Sequence, residues 1–138
     1  MPFNVAVIVK GEFIMIDFQN TMFLKLKPVP DRDFASMITP MFVEGEQIIQ
    51  SFRGIRDGVV FTNKRIFAIN VQGITGKKKD YTSLPYSKIT AFSVETAGVL
   101  DLDSELDIWF AGLGNVRFEF VANANVTQIC KIISTYVL

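Results

Sequence analysis

The stretch Val59-Val60-Phe61-Thr62-Asn63-Lys64-Arg65-Ile66-Phe67-Ala68-Ile69 decides the fold. It reads as two apolar strands folded about a short polar turn. Val60, Phe61, Ile66, Phe67 and Ile69 favour strands, and Thr62-Asn63-Lys64-Arg65 supplies the reversal. Asn63 tolerates the left-handed backbone that a tight turn often needs.

Downstream, strands succeed one another at short intervals. Lys88 to Glu95 sets Ile89, Ala91 and Ser93 against Thr90, Phe92 and Val94. Glu105 to Phe110 alternates Leu106, Ile108 and Phe110 inward with Glu105, Asp107 and Trp109 outward. Gly112 and Gly114-Asn115 turn the chain, after which Val116, Phe118 and Phe120 face in. The period then changes. Asn123 or Asn125 caps a helix in which Val126, Ile129, Cys130, Ile133, Tyr136 and Val137 share a stripe. Such a helix is marginal alone and has to dock on the sheet.

Upstream, Gln47 to Arg53 is a strand with Ile48 and Phe52 on one face, and Arg56-Asp57-Gly58 is a hairpin turn. Glu44-Gly45-Glu46 is a turn, Ile74 to Lys79 a polar loop and Asp80 to Leu84 a further strand ending at Pro85. Thr21 to Lys27 alternates Met22, Leu24 and Leu26 with Lys25 and Lys27. Asp31 or Asp33 caps a short helix that presents Phe34, Met37, Ile38 and Met41 and that Pro40 ends or kinks. Asn4 to Val9 is a candidate strand. Lys10-Gly11-Glu12 can be encoded as a ribosome-binding sequence ahead of Met15, which makes Met15 a candidate natural start and Met1 to Ile14 an annotation artefact.

Composition narrows the function. Hydrophobic residues make up 49% of the 138, enough for a folded core. Fourteen basic residues balance fourteen acidic ones, so the chain lacks the global field of a nucleic-acid binder. There is no histidine, which removes the commonest general base and metal ligand, and one cysteine, which excludes an intrachain disulfide. Cys130 falls on the apolar stripe of the last helix, where burial raises a thiol pKa and keeps it inert. No catalytic residue, metal site or cofactor is expected. No apolar run reaches the roughly 18 residues of a membrane helix, and no signal peptide is evident. The cytoplasm is the expected compartment.

Six segments in order carry a resemblance: Val43-Glu44-Gly45-Glu46, Arg56-Asp57-Gly58, Phe61-Thr62-Asn63-Lys64-Arg65, Gln72-Gly73-Ile74-Thr75-Gly76-Lys77-Lys78, Ser93-Val94-Glu95-Thr96-Ala97-Gly98 and Asp101-Leu102-Asp103-Ser104-Glu105-Leu106. Together they resemble the bacterial pleckstrin-homology (PH) domain family, stand-alone proteins without assigned enzyme activity. The resemblance implies a mainly β fold, a PH-like seven-stranded antiparallel barrel or sandwich over 43–138 capped by the C-terminal helix. An extension over 1–42 supplies a strand and a short helix. It also implies assembly into rings, with the chain itself as the first partner.

Two surfaces are candidates for binding. Arg56, Lys64, Arg65, Lys77, Lys78 and Lys79 form the candidate anion or membrane site, with another protein as a further partner. In lipid-binding pleckstrin domains a long basic loop joins the first two strands; here that loop is the tight Arg56-Asp57-Gly58 turn. Met22, Leu24, Leu26, Trp109 and Val121 are the candidate oligomer interface, being apolar on faces that otherwise read as polar or open. The acidic residues Glu95, Asp101, Asp103, Glu105 and Asp107 read as an outward strand face that pairs with Lys or Arg of a neighbouring strand or subunit.

Overall fold

The computed structural model describes residues 23–55, 57–70, 78–95, 103–122 and 124–138 in full, and residues 8–9, 12–13 and 71–72 as backbone. β1 (Ile8–Val9) and β2 (Glu12–Phe13) form a two-stranded antiparallel pair. The remaining strands are β3 (Phe23–Val29), β4 (Ile48–Arg53), β5 (Asp57–Thr62), β6 (Arg65–Gln72), β7 (Lys78–Pro85), β8 (Ile89–Glu95), β9 (Ser104–Phe110) and β10 (Gly114–Phe120). They make one eight-stranded sheet in the order β7-β6-β5-β4-β3-β10-β9-β8. Helix α1 (Arg32–Ile38) runs into a 3-10 turn at Thr39–Met41, and α2 (Val126–Val137) ends the described chain but for Leu138. The fold is mainly β with a C-terminal helix, as expected.

The opening stretch is a run of apolar residues because both of its faces are buried. Val59, Phe61, Ile66 and Ala68 point into the main core, where α2 closes the curved sheet with Val126, Ile129, Ile132 and Ile133. Val60, Phe67 and Ile69 point the other way and meet Phe34 and Ile38 of α1 in a second, smaller core. The turn between the two strands is Asn63-Lys64, as the sequence implied.

The seven strands expected over 43–138 are β4 to β10, and the early strand expected ahead of them adds an eighth to the sheet as β3. β3 lies inside the sheet, antiparallel to β4 and parallel to β10. The sheet therefore does not break at residue 43, and residues 23–42 share both cores with those that come after. Among the described residues the β3–β10 contact is the one parallel pair in this sheet; the strands of 43–138 pair antiparallel throughout, as expected.

Three strands break the expected alternation, each at a register shift. In β3, Phe23 and Leu26 are both fully buried although three residues apart. Lys25 sits at φ 56° between them, and Phe118 and Phe120 pair with Phe23 and Leu26 across the shift. One extra residue in the strand turns the later side chains to the opposite face. Leu26 is therefore a core residue and not a surface one. In β4 the shift lies between Ile48 and Gln50, so Ile48 joins the outer core and Phe52 the inner one. In β8 it lies between Ile89 and Ala91, so Ile89 and Phe92 join the core while Ala91 and Ser93 are exposed. β9 and β10 are regular, and their expected inward sets, Leu106, Ile108, Phe110, Val116, Phe118 and Phe120, are all buried.

Asp57-Gly58 is not the hairpin turn expected. Both residues are in β5, and Gly58 pairs with Arg53 and Ile69. Glycine is required there by proximity: a Cβ would lie 2.5 Å from Phe34 Cε1 and Cζ. Gly58→Ala is expected to cost about 1–3 kcal/mol by overpacking. Phe34→Leu in the same protein should recover part of that loss. Urea unfolding of the two single variants and the double variant measures the coupling; strictly additive effects would contradict a clash with Phe34.

The cap of α2 and the end of α1 are as expected, but the expected cap of α1 by Asp31 or Asp33 is absent. Asn125 accepts a hydrogen bond from the Gln128 amide at 3.1 Å, the expected N-cap of α2. Asp31 precedes α1 without capping it; its carboxylate accepts from Ser51 Oγ instead, at 3.1 Å. Pro40 enters the 3-10 turn after Ile38 and ends the α-helix there.

Candidate functional site

The described residues hold a buried, fully hydrogen-bonded carboxylate that the sequence presents only as part of a turn. Gly45, at φ 79°, turns the chain so that Glu46 points inward, its side chain fully buried. Arg65, at the start of β6, reaches it through Nε at 2.9 Å and Nη2 at 2.8 Å. The Thr62 hydroxyl donates to Glu46 Oε2 at 2.8 Å, and the Val43 amide donates to Oε1 at 3.0 Å. The remaining Arg65 donors go to the Met41 carbonyl and to Ser83 Oγ, and its guanidinium lies 4.3 Å from the Phe67 ring centroid. Asn63 ties the same segments together: it accepts from the Gln47 amide at 2.8 Å and donates to the Gly45 carbonyl at 3.0 Å. Tyr86 donates its hydroxyl to the Thr62 carbonyl at 2.7 Å.

Burial pushes the Glu46 carboxyl pKa up. The hydrogen bonds from Arg65, Val43 and Thr62, together with the Arg65 charge, outweigh burial and hold it below the ordinary carboxylate range. Such a satisfied bidentate pair fixes geometry. It clasps the Val43–Gln47 turn to the β5–β6 hairpin, which explains physically why Val43-Glu44-Gly45-Glu46 and Phe61-Thr62-Asn63-Lys64-Arg65 occur together. The signal available in the sequence was the pairing of an acid just before one strand with a base just after a hairpin turn.

The basic candidates among the described residues fall into two separate groups. Arg65 is committed to Glu46, its side chain 18% exposed. Lys64 is exposed at the hairpin tip, beside the Arg65 end of β6. Lys78 and Lys79 sit at the other end, since Gln72 pairs with Lys78 and Arg65 with Pro85. Seven residues of strand put the two groups roughly 20 Å apart. Arg56 and Lys77 lie outside the described residues.

The apolar candidates are divided as well. Leu26 is fully buried, and Leu24 and Val121 are half-buried at one end of the sheet, where the Val121 amide donates to the Leu26 carbonyl at 2.9 Å. Trp109 is exposed at the far end of β9, opposite Asn115 and Ala91. Met22 lies outside the described residues.

Along β9 away from Trp109, the outer face of β8, β9 and β10 becomes acidic. Register places Glu95, Glu105 and Glu119 in one row and Ser93, Asp107 and Arg117 in the next. Arg117 holds Asp107 at 2.8 Å and Glu105 at 3.9 Å. Lys25 holds Asp103 at 2.5 Å and Glu119 at 3.9 Å. The expected pairing with bases on neighbouring strands is therefore present for Asp103, Glu105 and Asp107. Asp101 lies outside the described residues. Half-buried Cys130 has its thiol pKa pushed up by burial, as expected from its place on α2. Among the described residues no helix is long and apolar enough to cross a membrane.

The chain is similar to known proteins in both sequence and architecture. It is 45% identical over 96 residues to the uncharacterized protein YjqA of Bacillus subtilis (strain 168), a match that covers 68% of this chain and 77% of that one. A crystal structure of a DUF1696 family protein with a pleckstrin-homology domain from Shewanella loihica PV-4 superposes with a TM-score of 0.74 at 40% identity. That superposition covers 83% of this chain and 99% of the other. A pleckstrin homology domain from Shewanella amazonensis SB2B gives 0.63 at 38%, covering 80% and 90%. The model of the bacterial PH domain family matches residues 17–137, a span that takes in β3, the clasp and α2. The chain belongs to the bacterial PH domain family.

Proposed function

We propose that the protein is a non-catalytic cytoplasmic assembly module that forms a closed cyclic homo-oligomer through one repeated head-to-tail contact. The observation that supports this reading is that the two ends of the sheet are open and unlike. At one end, β7 has a neighbour on one side only among the described residues, and it carries Lys78, Lys79 and exposed Tyr81. At the other end, the outer face of β8, β9 and β10 carries exposed Trp109 in a row with Ala91 and Asn115, then Asp107 two residues along β9 and the Glu95, Glu105 and Glu119 row two further on. An unpaired strand edge has to be blunted or covered, and basic and acidic surfaces attract. A contact between two different surfaces of the same chain is heterologous, and it ends in a ring when the rotation closes.

The non-catalytic part of the reading rests on the missing histidine, on the inert environment of Cys130 and on carboxylates that face out or are locked to arginine. An anionic membrane patch finds no such support among the described residues, where Lys64 and Arg65 stand at one end of β6 and Lys78 and Lys79 at the other. Trp109→Glu places a charge where the contact would be dry. It is expected to lower the mass measured by light scattering to that of a 15.5 kDa monomer, with the circular dichroism unchanged. A variant that keeps the wild-type mass would rule out Trp109 as part of the contact.

A further inference from the structure

At the seam where the sheet fails to close, β8 borders a groove beside the outer face that carries Trp109. β8 is an edge strand among the described residues, hydrogen-bonded to β9 alone. Its free side faces an apolar groove of about 210 Å³ between β8 and the last turns of α2. Ile89, Thr90, Ala91 and Phe92 form one wall, and Ser134, Val137 and Leu138 the other. Thr90 and Ala91 are exposed and Phe92 is half-buried, so the strand wall is accessible. The far end is stiffened by Tyr136 stacked on Tyr86, their centroids 5.4 Å apart.

We propose that this groove binds an extended peptide segment of a partner protein. The segment adds as a strand to β8, sets an apolar side chain between β8 and α2, and carries acidic residues at the end that lies by Lys88. Three observations lead there. An edge strand offers a row of backbone donors and acceptors that only another extended chain can satisfy in register. The adjoining groove is apolar, which suits alternate side chains of that added strand. The cations flanking it are free: Lys88 precedes Ile89, Lys131 lies one turn before Ser134 on the same helix face, both are exposed, and neither has an ion-pair partner among the described residues. The opposite end of β8 carries Glu95, beside Glu105 on β9, so acid is favoured at one end of the peptide only.

The test uses the full chain and two fluorescein-labelled peptides with the same alternating Val-Thr-Val-Thr-Ile centre. One has two Asp residues at the terminus that an antiparallel strand would lay by Lys88, and the other has two Lys there. Anisotropy with protein up to about 1 mM should show saturable binding of the acidic peptide, about tenfold tighter than the basic one. Lys88→Glu should abolish that preference. Ser134→Trp fills the groove and should weaken both peptides at least about tenfold, with circular dichroism confirming the fold and light scattering the unchanged assembly state. Absence of saturable binding by either peptide would overturn the proposal, as would equal binding to wild type and Ser134→Trp. Binding without preference for acid would overturn the charge assignment. Because assembly is read separately by mass, the peptide site can fail while the ring stands, and the reverse.

Discussion

Removing residues 126–138 is expected to leave no cooperatively folded protein. Val126, Ile129, Ile132 and Ile133 of α2 are each at most 8% exposed and pack on the concave face of the sheet. Burying a side chain of this kind contributes about 1.5–3 kcal/mol, so four contribute about 6–12 kcal/mol. That is comparable to the whole stability of an ordinary domain, about 5–15 kcal/mol. The loss is larger still because the truncation also uncovers the inner face, including Leu84, Ile89 and Leu106. The truncated chain should aggregate, or bind a hydrophobic dye without a sigmoidal urea transition. A soluble truncation with a sharp transition would show that α2 is not a structural lid.

Glu46→Ala is expected to produce the largest loss among single substitutions of polar residues. It leaves Arg65 without its bidentate partner and removes the acceptor used by the Val43 amide and the Thr62 hydroxyl. Breaking a buried ion pair typically costs about 3–5 kcal/mol. Arg65 keeps the Met41 carbonyl, Ser83 and some solvent contact, so about 2–4 kcal/mol is expected here. The pH dependence comes from the lowered Glu46 pKa. A carboxyl held below its unfolded value of about 4.3 stabilises the fold fully above that pH, and the contribution disappears as pH falls through the folded value. Wild-type stability should therefore fall with acid below about pH 4.3 more steeply than that of Glu46→Gln, which cannot titrate there. Urea midpoints measured across that range for both proteins make the comparison. Parallel curves would mean that Glu46 is not held ionised by Arg65.

The architecture was legible wherever the strand geometry was regular. β9 and β10 each show one clean period, and their inward residues could be named from spacing alone; in α2 the period placed the helix and named Val126, Ile129 and Ile133, but it missed buried Ile132 and took in exposed Tyr136. The β5–β6 hairpin was legible as strands, and its continuous apolar character reflects burial on both faces. Spacing could not show the three bulges. Lys25 at φ 56°, the slip between Ile48 and Gln50 and the slip between Ile89 and Ala91 each reverse the facing of the rest of their strand. None carries a glycine or proline at the shift that would mark it, and a single extra residue leaves composition unchanged. This is why Leu26 read as a surface residue and is core.

The candidate surfaces were less legible than the fold. Arg65 looked like one of several loop cations until its contacts with Glu46 were in view. The separation of Lys64 from Lys78 and Lys79 depends on the β6–β7 register, a long-range property that local pattern does not encode. The outer acidic face, by contrast, could be read from the alternation of β9 and β10, and the ion pairs to Arg117 and Lys25 lie where that alternation puts them. Phe34 against Gly58 belongs to the hidden class: the glycine reads as a turn, and its reason is a ring arriving from α1.

Assembly through unlike ends of the sheet is the central claim, and the molar mass in solution tests it most directly. Size-exclusion chromatography with light scattering should be run on the full chain at tens of micromolar, an order suited to contacts of roughly −6 to −8 kcal/mol. The expected result is one species at an integral multiple of 15.5 kDa, three or more, that shifts toward monomer as salt screens the basic and acidic surfaces. A single 15.5 kDa monomer at that concentration would contradict the account.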